Sequence, residues 1–403
     1  MPDFPPNPRP LEGIKVLELG QILAGAFATT ILGYFGAEVI KVEPPGQGDP
    51  IRDWRTVKNG TSLWWWSLAR NKKSVTINLK TEDGQQLVRE LCRHCDVLIE
   101  NFRPGQMEKW GLGPSEIKRI NPNLIYTRIS GYGQTGPYSG YPGFASVCEG
   151  FGGFRYVNGE PGEIPVRPNL SLGDTLAGIH AALGVCMAYI RRLRDGEGKG
   201  QVVDVSIFES VFNMLEAVVP EYSGAGEVRE PSGSTISGIV PSNTYRCKDG
   251  KLLIIGANTK GMFERLMRTI GRDDFAEDEQ LANNAGRVAN EQAIDAAIGA
   301  WAVTLPLKEA LAILQDKAVA AGPILNVADM FADPHYQARG AFEEVEVHGD
   351  ILHIPSIAPR LEETPGRTDT PGPELGENTD EVLKALLALD AATLERLRHA
   401  GTI

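Results

Sequence analysis

The chain has 403 residues, with 40 basic and 52 acidic side chains, a formal charge of −12, and 42% hydrophobic against 23% charged residues. That balance is globular and the length suits two or three domains, which excludes a disordered or collagen-like chain. The acidic excess speaks against a general binder of nucleic acid or anionic membranes, and five cysteines, odd and sparse, against a disulfide framework.

Residues 1–13 carry no apolar run of the secretory kind, and no apolar run approaches the ~18 residues of a membrane span. The expectation is a cytoplasmic protein with reduced thiols. Residues 14–19 read as a β-rich run, residues 24–36 as a Gly/Ala-rich helix and residues 38–42 as a second strand, the spacing of a β-α-β unit. Strands follow at residues 74–79, 97–99 and 124–129, with an amphipathic helix at 83–94. A long helix with Asp174, Gly178, Ala181 and Gly184 on one small-residue face is expected from residue 169 to 194. A strand at 201–207 and a helix at 208–219, stopped by Pro220, complete an α/β region whose alternation implies a mainly parallel sheet covered on both faces.

The organisation expected is a large domain from residues 1–220, a Gly/Ser/Pro-rich linker at 221–241, a small α+β domain at 242–330, and a tail at 331–403. The small domain opens with a hairpin turning at Asp249-Gly250 and continues in helices near 260–271, 290–303 and 307–320. The tail holds a β-rich stretch at 341–357 and one closing helix from 379 to about 398.

Gly131-Tyr-Gly-Gln-Thr-Gly136 matches the G-x-G-x-x-G fingerprint, but Pro137 and turn residues follow where dinucleotide binding needs a helix. Cys92 and Cys95 lack the second Cys/His pair of a zinc site, and no metal is expected. The six histidines lie outside any nucleophile-elbow pattern. The Trp64-Trp65-Trp66 run reads first as packing or a subunit contact. Residues 52–118 carry a local charge of +4 against −16 for the remainder. Their cluster Arg70, Lys72, Lys73, Lys80, Arg103 and Lys109 could attract a phosphate-bearing ligand, although a solvated face explains part of it. Asp174 opens a helix, where a carboxylate is favoured by the dipole. Its ordinary role there is capping; its functional role would be as a covalent nucleophile.

Seven motifs in order make the chain resemble the class III coenzyme A-transferases, the CaiB/BaiF family. They are Leu11-Glu-Gly-Ile-Lys-Val-Leu-Glu-Leu19, Gly36-Ala-Glu-Val-Ile-Lys-Val-Glu-Pro44, Asn71-Lys-Lys-Ser74, Glu100-Asn-Phe-Arg-Pro-Gly105, Ser130-Gly-Tyr-Gly-Gln-Thr-Gly-Pro137, Gly173-Asp-Thr-Leu-Ala-Gly178 and Gly198-Lys-Gly-Gln-Val-Val-Asp-Val205. The resemblance implies a doubly wound, Rossmann-like large domain built from both chain ends, a smaller α+β domain, and an interlocked ring-like homodimer. It implies acyl-CoA and a carboxylic acid as substrates, with no permanently bound cofactor. Asp174 takes the nucleophile's position. The coenzyme A contacts fall on Leu23, Ala24, Pro44, Ile77, Asn78, Leu79, Lys80, Asn101, Phe102, Arg103, Lys109, Pro142, Gly143, Phe144 and Ala145. Pro44 and Pro142 replace an arginine and a lysine of the formyl-CoA transferase branch, so those two charge contacts do not carry over. Gly233-Ser-Thr-Ile-Ser-Gly238 is the nearest counterpart of that branch's glycine loop.

Two rivals stand beside the transferase reading. The racemase branch needs a histidine 30 residues before its aspartate, and that position is Phe144, which takes no proton. A CoA-binding protein without activity would not need Asp174 in its motif. Arg155 and Arg167 precede Asp174 and could grip a second carboxylate bidentately, which motivates a dicarboxylate acceptor with succinyl-CoA as donor.

Overall fold

Runs of Val, Ile and Leu with few breaks suit strands buried on both faces, and the computed structural model, which describes residues 8–196 and 198–403, places six of them in one parallel sheet. These are β1 (Lys15–Glu18), β2 (Glu38–Glu43), β3 (Lys72–Thr76), β4 (Val97–Glu100), β5 (Ile125–Ser130) and β6 (Val202–Ser206), in the order β3-β2-β1-β4-β5-β6. Every neighbouring pair is parallel. The order reverses between β1 and β4, the point at which open α/β sheets leave a crevice outside their carboxyl ends.

One face is covered by α1 (Ala24–Tyr34), α2 being the first helix of the other face (Glu82–Cys92); beyond them run α3 (Ala145–Phe151) and α4 (Leu172–Arg194). Ala24, Ala28 and Leu32 of α1 meet Ala177, Ala181 and Val185 of α4 in one core. Small residues there allow close approach: a Cβ on Gly178 would lie 2.9 Å from the Ala24 carbonyl oxygen. On the opposite face Leu87, Val88 and Leu91 pack with Val382, Leu383, Leu394 and Leu397. The last two leucines belong to α6 (Ala391–His399), and the pair before them to α5 (Thr379–Leu387). A single closing helix was expected; Ala388, at φ +53°, turns the chain left-handed, and Asp390 caps a second helix.

One further expectation gives way. Pro220 does not stop a helix; it sits in the first turn of one at Val218–Ala225, where proline's missing N–H costs nothing, so the supposed linker begins helical. Helix α4 is also long and apolar enough, by length and composition, to cross a membrane, with a mean hydropathy of 1.2. Ala177, Ala181, Val185 and Ala188 are buried in the sheet's core, as befits the central helix of a layered domain, while Ile179, Leu183, Met187, Ile190 and Leu193 form an exposed apolar stripe.

The chain divides into two compact units, the first comprising residues up to Phe154, Pro168–Glu216 and Ala338–Ile403, the second Arg155–Arg167 with Ala217–Gln337. The second unit holds an antiparallel sheet of β7 (Ser242–Arg246), β8 (Leu252–Gly256) and β9 (Ala321–Pro323), ordered β9-β8-β7. Its helices at Lys260–Thr269, Glu291–Ala302 and Leu307–Asp316 close over Phe263, Leu266, Ile294, Ile298 and Leu314.

Candidate active site

The loops leaving β1 and β4 at the reversal of strand order line a cavity of about 290 Å³. Gln21, Ile22, Leu23 and Ala24 come from the first loop and the start of α1, and Asn101, Phe102, Arg103 and Pro104 from the second. Ser130 and Gly131 close it from the end of β5, Tyr141, Pro142, Gly143 and Phe144 from the approach to α3, and Asp174 from the first turn of α4. A second cavity, about 640 Å³, runs along the ends of β2 and β3 past Pro44, Ile77, Asn78, Leu79 and Lys80 and shares Gln21 and Phe102 with the first.

The structure therefore brings Asp174 together with Leu23, Ala24, Asn101, Phe102, Arg103, Pro142, Gly143 and Phe144. It groups Pro44 and the 77–80 segment in the adjoining cavity. Lys109 ends a short helix at Gln106–Lys109 and lines neither; Ala145 is buried against Gly173. Arg155 and Arg167 belong to the second unit, and Arg103 is the guanidinium that lines the cavity itself. No histidine lines either cavity.

The loop between β1 and α1 is fixed by buried charge. Ile22 has φ +66°, strained for a β-branched residue, and its N–H donates to both oxygens of the buried Asp49 at 3.0 and 3.1 Å. Lys41 lies 2.8 Å from Asp49 and 2.8 Å from Glu18, and Lys72 is 3.0 Å from Glu18. Burial alone would raise the Glu18 carboxyl, but the Lys41 and Lys72 ammonium groups outweigh it and hold the carboxyl down at about 2. For Lys72 burial wins over Glu18, bringing the ammonium down to about 8. Gln21 is clamped by Asn101, whose carbonyl accepts the Gln21 N–H and whose amide donates to the Gln21 carbonyl, both at 2.8 Å.

These pairings revise the reading of the basic cluster. Lys72 serves Glu18, Arg70 is buried on the carbonyls of Ser67 and Pro355, and Lys73 bridges Glu38 and Glu381. Lys80, Arg103 and Lys109 stay exposed, without an ion pair among the described residues, so half of the cluster is left to meet a phosphate. The tryptophan run is core: Trp65 and Trp66 are buried, with the Arg52 guanidinium stacked 3.6 Å over Trp65 while it grips Glu43 through two 2.8 Å bonds.

The G-x-G-x-x-G match starts no helix. Its first glycine serves packing: a Cβ on Gly131 would stand 2.8 Å from the Gly143 Cα, and the Cys148 thiol donates to the Gly131 carbonyl at 3.4 Å. This contact seats α3 beside the start of α4, where the buried Glu149 accepts the Gly173 N–H at 3.2 Å. Burial, then the fields of Asp174 and Glu149, push the Cys148 thiol up to about 12. Glu149, Gln21 and Asp49 were missed by sequence reasoning. Gln21 could have been found from its place just after the first strand; nothing in the local sequence marks the other two. Among the described residues no cluster of three His, Cys, Asp or Glu side chains could hold a metal ion.

The description CoA-transferase family III matches residues 11–379. The chain belongs to that family. As a family III CoA-transferase it is 43% identical over 400 residues to a succinyl-CoA–D-citramalate CoA-transferase of Chloroflexus aurantiacus, covering 98% of both chains. It is 34% identical to a succinate–glutarate CoA-transferase of Agrobacterium fabrum, over 97% of this chain and 99% of that one. Among solved structures, a CaiB/BaiF family protein from Brucella suis matches with a TM-score of 0.83 and 34% identity, over 94% of this chain and 100% of that one.

Proposed function

We propose that this CoA-transferase moves coenzyme A from succinyl-CoA to a dicarboxylic acid, with Asp174 as the covalent carrier. The observation that carries the reading is Asp174 itself, set in the first turn of α4 and open to the cavity at the reversal of strand order. The names of the relatives, with citramalate and glutarate as acids, support the substrate class.

In this reading the ionised Asp174 attacks the donor thioester, forming a mixed anhydride and CoA thiolate. The thiolate returns to the Asp174 carbonyl, giving an aspartyl-CoA thioester and releasing the donor acid; the acceptor carboxylate then runs the sequence backwards. Backbone N–H groups at the helix ends suit the developing oxyanions. The CoA moiety would lie along the two cavities, with Lys80 and Arg103 toward its phosphates. Arg155 and Arg167 stay as proposed contacts of the acceptor's second carboxylate. Phe144 in the racemase's histidine position, exposed and lining the cavity, leaves α-proton abstraction without its second base. The apolar stripe on α4 fits self-association as a homodimer, and a cytoplasmic location fits the substrates.

The test is peptide mass spectrometry after incubation with succinyl-CoA and trapping with hydroxylamine. A mass change on the Asp174 peptide, absent in Asp174→Ala, together with loss of at least about 10³-fold in kcat for a missing nucleophile, is expected. An unmodified peptide with succinyl-CoA and every other acyl-CoA tried, alongside deuterium exchange at the α-carbon of a 2-methylacyl-CoA, would overturn it.

A further inference from the structure

A helix begins with backbone N–H groups that have no partner inside it. In α4 the capping residue Ser171 supplies no side-chain acceptor. The acceptor comes instead from another helix: the Glu149 carboxyl, on α3, takes the Gly173 N–H at 3.2 Å. Glu149 is wholly buried, with 0% of its surface exposed, and a buried carboxylate is costly unless its surroundings use it. Asp174 is the next residue after Gly173, so Glu149 holds the backbone one residue before it. Two carboxylates therefore meet at one helix end, Asp174 lining the cavity and Glu149 buried on the Gly173 N–H.

The packing that brings them together is tight on every side. A Cβ on Gly173 would lie 3.0 Å from the Ile207 Cγ2 and 3.4 Å from the Ala145 Cα, so α3 lies directly against the start of α4. The Gly131–Gly143 backbone contact fixes the other end of the same segment. The rise of the Cys148 thiol, caused in part by Asp174 and Glu149 together, agrees with both carboxylates facing one small region.

We propose that Glu149 is the positioning residue for Asp174, holding the first turn of α4 and favouring the states in which Asp174 is covalently neutralised. The inference rests on the covalent reading above. In the first step an Asp174 oxygen bonds to the thioester carbon, the C–S bond breaks and the electron pair leaves on CoA thiolate. In the second the thiolate bonds to the Asp174 carbonyl carbon, the C–O bond breaks and the donor carboxylate departs with the charge. The first step takes the negative charge off Asp174, and the second leaves it neutral as the thioester. In its ionised form Glu149 would raise the energy of ionised Asp174 more than that of its neutral anhydride or thioester. The result is a stronger nucleophile and a better populated intermediate.

Glu149→Gln, Glu149→Asp and the wild type would be incubated with succinyl-CoA at fixed succinate, and the ratio of CoA-loaded to free Asp174 read by mass spectrometry, with melting followed in parallel. Glutamine keeps an acceptor for the Gly173 N–H but no charge; aspartate keeps the charge but retracts it. The loaded ratio should fall about tenfold in Glu149→Gln, equivalent to roughly 1.4 kcal/mol, and fall less in Glu149→Asp. A Glu149→Gln ratio equal to that of the wild type, or an aspartate variant that loads less than the glutamine one, would show a merely structural role and overturn the proposal. A wild type that never loads overturns the transferase reading, and this inference with it.

Discussion

Asp174 could be singled out from the sequence because its motif and its place at a helix start are local facts. The residues that hold the rest of the cavity could not. Asp49 reads in the chain as one acidic residue among 52, yet it is 1% exposed and satisfies the N–H groups of Ile22 and Ile51 while paired with Lys41. Replacing it by alanine leaves the Lys41 ammonium with Glu18 and the Gly20 carbonyl, orphans the Ile22 amide and leaves the left-handed Ile22 unsupported. Removing one partner of a buried pair costs on the order of 3–5 kcal/mol, so Asp49→Ala should lower the chemical-denaturation free energy by about that much. Native-state hydrogen exchange should show the Ile22 amide opening before β1. A loss below roughly 1 kcal/mol, the scale of an ordinary surface change, would mean that the network is not what fixes this loop.

At the scale of elements, the parallel strands were legible because Val, Ile and Leu concentrate in β1, β2 and β4, and each of the six lay within three residues of its expected position. The failures came where a single residue decides. Ala388 breaks the closing helix by taking a conformation that alanine rarely adopts, and Pro220 falls in a first turn, where the rule that proline ends helices does not apply. Gly178 shows how one atom can join two elements. A methyl there would stand 2.9 Å from the Ala24 carbonyl oxygen and 3.2 Å from the Ala28 nitrogen, both backbone atoms of α1. Gly299, in the helix Glu291–Ala302, would meet only the Tyr245 ring at 3.9 Å. Helix propensity favours alanine at both by about 0.5–1 kcal/mol. Gly299→Ala should gain some of that, whereas Gly178→Ala should lose about 1–3 kcal/mol to overpacking. It should also lower kcat, since Ala24 lines the cavity; equal gains in denaturation experiments on both variants would show that α1 and α4 are not held at that contact.

For the whole molecule, charge was the signal most open to misreading. The basic excess of residues 52–118 looked like a ligand surface, but part of it neutralises carboxylates inside the sheet, and burial cannot be counted from a sequence. That placement has a consequence for acid stability. Glu18 of β1 is fully buried between Lys41 of β2 and Lys72 of β3, so one carboxylate ties three neighbouring strands. With its carboxyl held at about 2 against 4.5 when unperturbed, it contributes stability that is fully present above pH 4.5 and lost as the pH falls toward 2. The whole contribution is on the order of 3 kcal/mol. In the second unit the buried charged side chain among the described residues is Arg287, which donates to the carbonyls of Val240, Leu281 and Asn258, and carbonyls do not titrate. Lowering the pH from 5 to 2 should therefore open the first unit before the second. Hydrogen exchange followed by mass spectrometry should find β1, β2 and β3 losing protection while β7 and β8 keep theirs. Loss of protection in β7 and β8 at the same pH or a higher one would show that acid acts on the chain through some other group.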